Sequence, residues 1–125
     1  MANPDWGRFC RTEAFTLEDG AVVVRLSAGR HHRVAVKDVG ATYEMESFVA
    51  PASLVRELGD VPLRAWLRNR SSQLVGFRVD HRGRLIGEAW VPKMGLAPEE
   101  FQLYVLRVAT ECDRFEYLLT GSDSG

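Results

Sequence analysis

In the second half of the chain, hydrophobic residues recur first at every second position and then at about every 3.6 positions. This change of spacing predicts a β-hairpin followed by a long helix. Between residues 75 and 91, apolar and polar positions alternate, as they do in strands that bury one face. The alternation is interrupted at residues 80–83, where Asp80 and Gly83 flank two polar residues in a pattern typical of a tight turn. The face of the second strand that is expected to meet the core carries Leu85, Gly87, Ala89 and Val91.

From residue 98 onward the apolar period becomes about 3.6 residues, which predicts a helix that ends before Gly121. Pro98 fits the first helical position, and Glu99 and Glu100 favour the positive end of the helix dipole. The predicted buried stripe of this helix consists of Phe101, Tyr104, Val105, Val108, Ala109, Cys112, Phe115 and Leu119.

The first half of the chain has the turn signals and alternation of an antiparallel sheet, in which each strand is expected to pair with its neighbour in sequence. The predicted strands are residues 21–27, 31–39 and 41–49, and residues 12–17 could add a short leading strand. Residues 51–59 are a predicted short helix, residues 62–70 a second short helix or an irregular turn, and residues 3–10 a weaker helical start. The predicted fold is therefore α+β. It is a mainly antiparallel sheet, a β-meander plus a C-terminal β-hairpin, with short central helices and a long C-terminal helix packed on it. We expect residues 1–125 to form a single domain.

The composition argues against some classes of function but does not identify the function itself. A net charge of -1 argues against a general electrostatic footprint for nucleic acid or for a membrane surface. The N-terminus lacks the pattern of a signal peptide, and no apolar stretch approaches the roughly 18 residues that span a bilayer. We therefore expect a cytoplasmic protein whose two cysteines, Cys10 and Cys112, stay reduced.

The residues that could support catalysis or metal binding form no recognisable motif. His31 and His32 are adjacent, so they should point to opposite faces of a strand, and His81 lies in the predicted turn. The serines at positions 53, 71 and 72 lie in no nucleophile motif. Glu116 lies at the edge of the apolar stripe, where the expected role is either an ion pair with an arginine such as Arg78 or Arg84 or a place on a solvated helix face. We therefore expect no catalytic, cofactor-binding or metal-binding residue, and no cofactor.

The face of the hairpin opposite the core is the strongest functional signal, because it combines large apolar residues with charges. If the core-facing residues of the second strand, Leu85 to Val91 at alternate positions, pack on the helix, then its other side faces solvent or a partner. The predicted partner-binding residues are Ile86, Trp90, Arg78, Arg84 and Glu88. The alternative is that a helix covers this face as well, in which case Ile86 and Trp90 are core residues.

Several segments of the chain resemble the YbjN family, whose fold is shared with type III secretion chaperones. The resemblance spans residues 21–121. It rests on the segments GR-HHRVAV, YEMESFVAP, FRVDHRGRLIGEAWVP, GLAPEEF and VATECDRFEYLLTG, and on the Arg-Asn-Arg segment at 68–70. It implies a bacterial protein with a chaperone-like fold and no agreed catalytic residues.

The resemblance and the absence of catalytic motifs favour a non-enzymatic protein-interaction module, a small cytosolic chaperone- or adaptor-like protein. Its expected partner is a larger protein, for which a neighbouring gene is one candidate source, and the same surface could form a homodimer. The alternative is a small-ligand binder or an enzyme with a pocket between sheet and helices. A deep pocket with convergent polar groups would favour the alternative, and a broad apolar patch would favour the interaction module.

Overall fold

The computed structural model describes residues 5–121. Six strands form one sheet: β1 Phe15–Glu18, β2 Ala21–Arg25, β3 His31–Val39, β4 Thr42–Ala50, β5 Gly76–Val79 and β6 Leu85–Pro92. Three α-helices accompany it: α1 Ala52–Leu58, α2 Val61–Asn69 and α3 Pro98–Thr120. The predicted helical start is a 3-10 helix at Asp5–Phe9, and its first predicted residues lie outside the described residues. The predicted α+β fold is confirmed.

The helices begin and end where the local sequence signals predict. Gly59 after α1 and Gly121 after α3 are both left-handed, with φ of 77° and 69°, a conformation that Gly adopts without a Cβ clash. At the start of α3, the Glu100 side chain accepts a hydrogen bond from the backbone N–H of Ala97 at 2.9 Å. This contact satisfies one of the donors that a helix start leaves unpaired.

The sheet is antiparallel throughout, in the order β1-β2-β3-β4-β6-β5. The first four strands form the predicted meander. The prediction that each meander strand pairs with its sequence neighbour is confirmed, and the hairpin joins the meander through β6, so that β6 and not β5 lies beside β4. The two intervening helices, α1 and α2, carry the chain across to the outer edge before the hairpin turns back.

All three helices pack on one side of the sheet, where their buried residues join a single hydrophobic cluster with the strands. The seven buried residues of α3 all belong to the predicted stripe, while Tyr104 is only partly buried. Leu85, Gly87, Ala89 and Val91 are all buried, as predicted for the core face of β6. A Cβ placed on Gly87 would lie 2.3 Å from the Cys112 sulfur, so the absence of a side chain lets α3 approach β6 closely.

The outer edge of the sheet at β5 is closed by a side chain from α2. Asn69 donates from its amide nitrogen to the Phe77 carbonyl at 2.9 Å, and its amide oxygen accepts from the Phe77 N–H at 2.7 Å. The amide thereby takes the place of a neighbouring strand at the middle of β5. In the described part of the chain, no helix combines the length and the hydrophobicity that a bilayer span requires.

Candidate protein-binding surface

The side of the sheet opposite the helices, called here the open face, carries the even-numbered positions of β4 and β6. Strand pairing places Glu44 beside Trp90, Glu46 beside Glu88 and Phe48 beside Ile86. Among residues 5–121 no helix packs on this face, because the buried residues of every α-helix belong to the cluster on the other side. The open face is therefore available for contact with another molecule.

Trp90 is the largest exposed apolar side chain on the open face, with 64% of its surface exposed. Phe48 on β4 and Val39 at the end of β3 lie on the same face and are 45% and 48% exposed. Single exposed apolar residues are normal on proteins, but three on one uncovered sheet face are typical of an interaction surface.

Ile86 is on the open face as predicted, but the expectation that it is exposed is wrong, since only 1% of its surface is accessible. The strand pairing places it between Phe48 on β4 and Arg78 on β5. The neighbouring side chains in such cross-strand rows lie within contact distance and can cover a central residue without a helix. Within the described part of the chain, Ile86 and Ala21 are the two buried hydrophobic residues that lie outside the main cluster.

Three charged residues of the open face, Arg78, Glu46 and Glu88, are paired with one another. Arg78 donates from Nε to Glu88 at 2.9 Å, and its guanidinium lies 3.9 Å from a carboxylate oxygen of Glu46. The hydrogen bond to Glu88 holds the pKa of Arg78 above its ordinary value. These ion pairs therefore lie beside the apolar residues of the open face.

Arg84 precedes β6 and contributes to the hairpin turn. Its guanidinium lies 2.8 Å from the Asp80 carboxylate, which also accepts backbone hydrogen bonds from Arg82 and Arg84 at 2.9 Å. Burial acts to raise the pKa of Asp80, but these hydrogen bonds and the Arg84 charge leave that pKa below its ordinary value. Gly83 has a φ of +79°. The predicted turn is therefore confirmed, and Arg84 acts in it through Asp80.

A second exposed apolar surface lies on α2, where Leu63, Trp66 and Leu67 form a stripe at the spacing noted in the sequence. The structure confirms the helix and turns this stripe outward, while Val61 and Ala65 face the core. Arg70 lies over the Trp66 ring at 5.2 Å. An open groove of about 320 Å³ runs beside the stripe; it is lined by Arg64, Leu67, Arg68, Phe115 and Leu118.

Two other grooves are open to solvent. One of about 400 Å³ is lined by Ser27, Arg30, Thr110, Asp113, Arg114 and Tyr117. The other, of about 300 Å³, is lined by Thr12, Ala14, Phe15, Glu99, Gln102, Leu103 and Leu106. Both grooves lie at the surface of α3, and neither is an enclosed cavity between the sheet and the helices.

Sequence reasoning missed one cluster of ionisable side chains. Ligand atoms of His32, Asp113 and Glu116 all lie within 4.8 Å of one another. The predicted pairing of Glu116 with Arg78 or Arg84 is wrong, because those arginines pair with Glu88 and Asp80 instead. Burial, reinforced by the Asp113 charge and opposed by His32, raises the pKa of Glu116. No spacing pattern could reveal the cluster, because His32 and the two acids lie far apart in sequence.

Both cysteines are free thiols and buried. Burial raises the pKa of Cys10 to about 11 and that of Cys112 to about 12, despite a weak hydrogen bond from Cys112 to the Ser47 carbonyl. The reactive form of cysteine is the thiolate, so raised values make both side chains unreactive at neutral pH. Both therefore act as small apolar residues of the core.

No family model matches the sequence, and no curated protein matches it. Solved structures do match in fold. A chain of the heterodimeric ExoU–SpcU complex from the type III secretion system of Pseudomonas aeruginosa is 15% identical, with a TM-score of 0.55, over 84% of this chain and 87% of that chain. YbjN from E. coli is 15% identical, with a TM-score of 0.54, over 88% and 81% of the two chains.

A chain of the HopA1–SchA chaperone–effector complex is 11% identical, with a TM-score of 0.52, over 97% of this chain and 89% of that chain. At such identities the likeness establishes the fold alone. The fold expected from the resemblance, that of YbjN and the type III secretion chaperones, is confirmed.

Proposed function

We propose that this protein is a non-enzymatic interaction module, a small cytoplasmic chaperone- or adaptor-like protein that binds a larger protein through the open face of its sheet. The observation that carries the proposal is Trp90, which is 64% exposed on a sheet face that no described helix covers. The fold supports it, since two of the matched structures are a heterodimeric complex and a chaperone–effector complex.

The open face has the composition of a protein interface. Tryptophan and arginine are enriched among residues that dominate binding energy, and such residues are usually ringed by contacts that exclude water. Trp90 and Phe48 supply the apolar anchors, and the Arg78–Glu88 pair supplies a polar surround whose hydrogen bonds are already formed. Ile86 is buried beneath this surface, so its role in the proposal is to support the neighbouring side chains. Arg84 holds the turn at one end.

The absence of a catalytic role is part of the same proposal. Enzymes and small-ligand binders generally use a concave pocket with convergent polar groups. The grooves described above are open, and the charged groups along them form ion pairs such as Arg30–Asp113 at 2.9 Å. The buried thiols have raised pKa values and cannot serve as nucleophiles at neutral pH.

The test compares Trp90→Ala with Trp66→Ala, a matched control that removes a tryptophan of similar exposure from α2. We expect a partner captured from native lysate by the parent protein and by Trp66→Ala, but not by Trp90→Ala. Truncation of a central interface tryptophan often costs about 2 kcal/mol or more, on the order of a thirtyfold loss of affinity. Titration calorimetry with the purified partner measures that loss.

Self-association is measured in parallel by sedimentation velocity, since a homodimer could use the same face. Far-UV circular dichroism and thermal melts establish that each variant is folded. If Trp90→Ala binds as well as the parent while Trp66→Ala does not, the partner uses α2, and the assignment to the open face is wrong. If neither substitution weakens binding, neither apolar surface carries the function.

A further inference from the structure

We propose that His32, Asp113 and Glu116 bind one divalent transition-metal ion where the start of β3 meets the second half of α3. One candidate ligand atom from each residue lies within 4.8 Å of the other two. An imidazole nitrogen and two carboxylate oxygens are ligands that Zn²⁺ accepts, with water in the fourth position. The imidazole favours such an ion over Mg²⁺ and Ca²⁺, which prefer oxygen ligands.

His32 is oriented by a contact outside the cluster. Its Nε2 lies 3.1 Å from the carbonyl oxygen of Phe48 on the neighbouring strand. A carbonyl oxygen only accepts hydrogen bonds, so Nε2 donates in this contact. Imidazoles that ligate metals typically donate their other N–H to a backbone carbonyl or a carboxylate in this way. The contact thus commits Nε2 to Phe48 and leaves Nδ1 as the nitrogen that we assign to the ion.

The carboxylate of Asp113 is held in position by hydrogen bonds from Arg30, as metal-binding carboxylates commonly are. Arg30 donates from Nε at 3.2 Å and from a terminal nitrogen at 2.9 Å, and both bonds go to Oδ2 of Asp113. Ligating carboxylates are themselves commonly hydrogen-bonded, which fixes their orientation. Since Arg30 engages Oδ2, the other oxygen of the carboxylate is the one assigned to the ion.

The electrostatics of the cluster favour a cation. Asp113 and Glu116 are one helical turn apart on α3, where two negative charges repel each other. Arg30 neutralises one of them, and a divalent ion would compensate the other. The open groove lined by Arg30, Thr110 and Asp113 connects solvent to the Asp113 side of the cluster.

The experiment is titration of Zn²⁺ into tag-free, chelator-treated protein, followed by calorimetry. We expect one site per chain. Loss of a supporting residue alone typically weakens metal affinity 10- to 100-fold, so His32→Ala and Glu116→Gln should each weaken binding by at least about tenfold. The matched control is His31→Ala, which removes the adjacent exposed imidazole and should leave the affinity unchanged.

Thermal melts with and without Zn²⁺ provide the second readout. The ion should raise the Tm of the parent and of His31→Ala, but not that of the two ligand variants, because only a bound ligand shifts the folding equilibrium. Glu116→Gln preserves the shape of the side chain. If His32→Ala does not fold, the zinc affinity and the Tm shift of Glu116→Gln test the proposal. An absence of binding, or equal binding by all the variants (as zinc on the cysteines would give), overturns the proposal.

Discussion

The two faces of the sheet are built from the same six strands, yet residues one position apart have opposite surroundings. On β6, Ala89 is 4% exposed beneath α3, and the next residue, Trp90, is 64% exposed on the open face. The inner face is sealed by a helix that approaches closely enough to exclude a side chain at Gly87. Among residues 5–121, the open face is covered only by its own side chains, which bury Ile86 and leave Trp90 accessible.

The difference shows that burial on the two faces has different causes. On the inner face of β4 and β6 the overlying helix determines burial, so every inward-pointing residue between Tyr43 and Val49 and between Leu85 and Val91 is buried. On the open face, the burial of each side chain depends on its neighbours on the adjacent strands, so it varies from residue to residue. Substitutions on the inner face should therefore cost stability, and substitutions on the open face should chiefly change binding.

The largest effect is expected from Phe115→Ala on the inner side. The ring is 2% exposed, packs edge-to-face on Phe77 at 4.9 Å and lies 5.3 Å beneath the Arg68 guanidinium. Removal of a fully buried ring typically lowers the free energy of unfolding by about 3–5 kcal/mol. Urea denaturation measures the loss, with the exposed Leu118→Ala on the same helix as control. A loss below about 1 kcal/mol would contradict the packing of α3.

A glycine on each face gives a direct contrast. At Gly87 a new Cβ would meet the Cys112 sulfur at 2.3 Å and the Phe77 ring at 3.0 Å, whereas at Gly76, on the open face, it would meet nothing within 4 Å. Overpacking of this kind costs about 1–3 kcal/mol. We expect Gly87→Ala to lower the urea midpoint and Gly76→Ala to leave it unchanged or raise it.

The cause of the Gly87→Ala loss can be tested with a second substitution. Cys112→Ala removes the atom that the new methyl group meets, so the double variant should be more stable than the sum of the two single effects. Strict additivity of the two effects would show that the close contact between β6 and α3 is not what makes glycine necessary there.

A smaller and pH-dependent effect is expected from Asp80→Asn in the turn. Hydrogen bonds and the Arg84 charge leave the pKa of Asp80 below its ordinary value in the folded protein. The stabilisation from a depressed carboxyl pKa is fully present above the unfolded value, about 3.9, and is lost as pH falls through the folded value. The parent should therefore exceed the variant in stability at pH 7, and the difference should shrink as pH falls below the unfolded value. A pH-independent difference would contradict this linkage.

The smallest effect on stability is expected from Trp90→Ala on the open face. Substitutions of exposed residues usually change the free energy of unfolding by no more than about 0.5 kcal/mol. Urea melts should therefore give nearly the same midpoint for the variant and the parent, even where binding is lost. A loss as large as that of Phe115→Ala would mean that Trp90 is part of the core.

The long helix and the hairpin could be predicted because periodicity and turn chemistry are local properties. The pattern at residues 75–91 assigns inner and outer positions of β6 correctly, and the stripe of α3 follows from a 3.6-residue period. The order of the last strands could not be derived, because the path through α1 and α2 is decided by tertiary packing. The partner-binding role of Trp90, Arg78, Arg84 and Glu88 stays a prediction.

The surroundings of Ile86 and His32 depend on contacts that are distant in sequence. Ile86 is buried because Phe48 and Arg78 flank it on two other strands. His32 lies beside Glu116 because the end of α3 returns to the start of β3. A pattern within one element shows which way a side chain points. It does not show what the side chain meets, so the faces could be predicted but the cluster could not.

The Asn69 amide at β5 also limits how copies of this protein could polymerise. A sheet with two free edges can add further sheets at both ends and grow into a filament. Here the Phe77 N–H and carbonyl on one edge are already bonded to the amide, so β1 is the edge better suited to adding a strand. Two copies joined through β1 would close on a two-fold axis and leave only the two amide-capped β5 edges outermost.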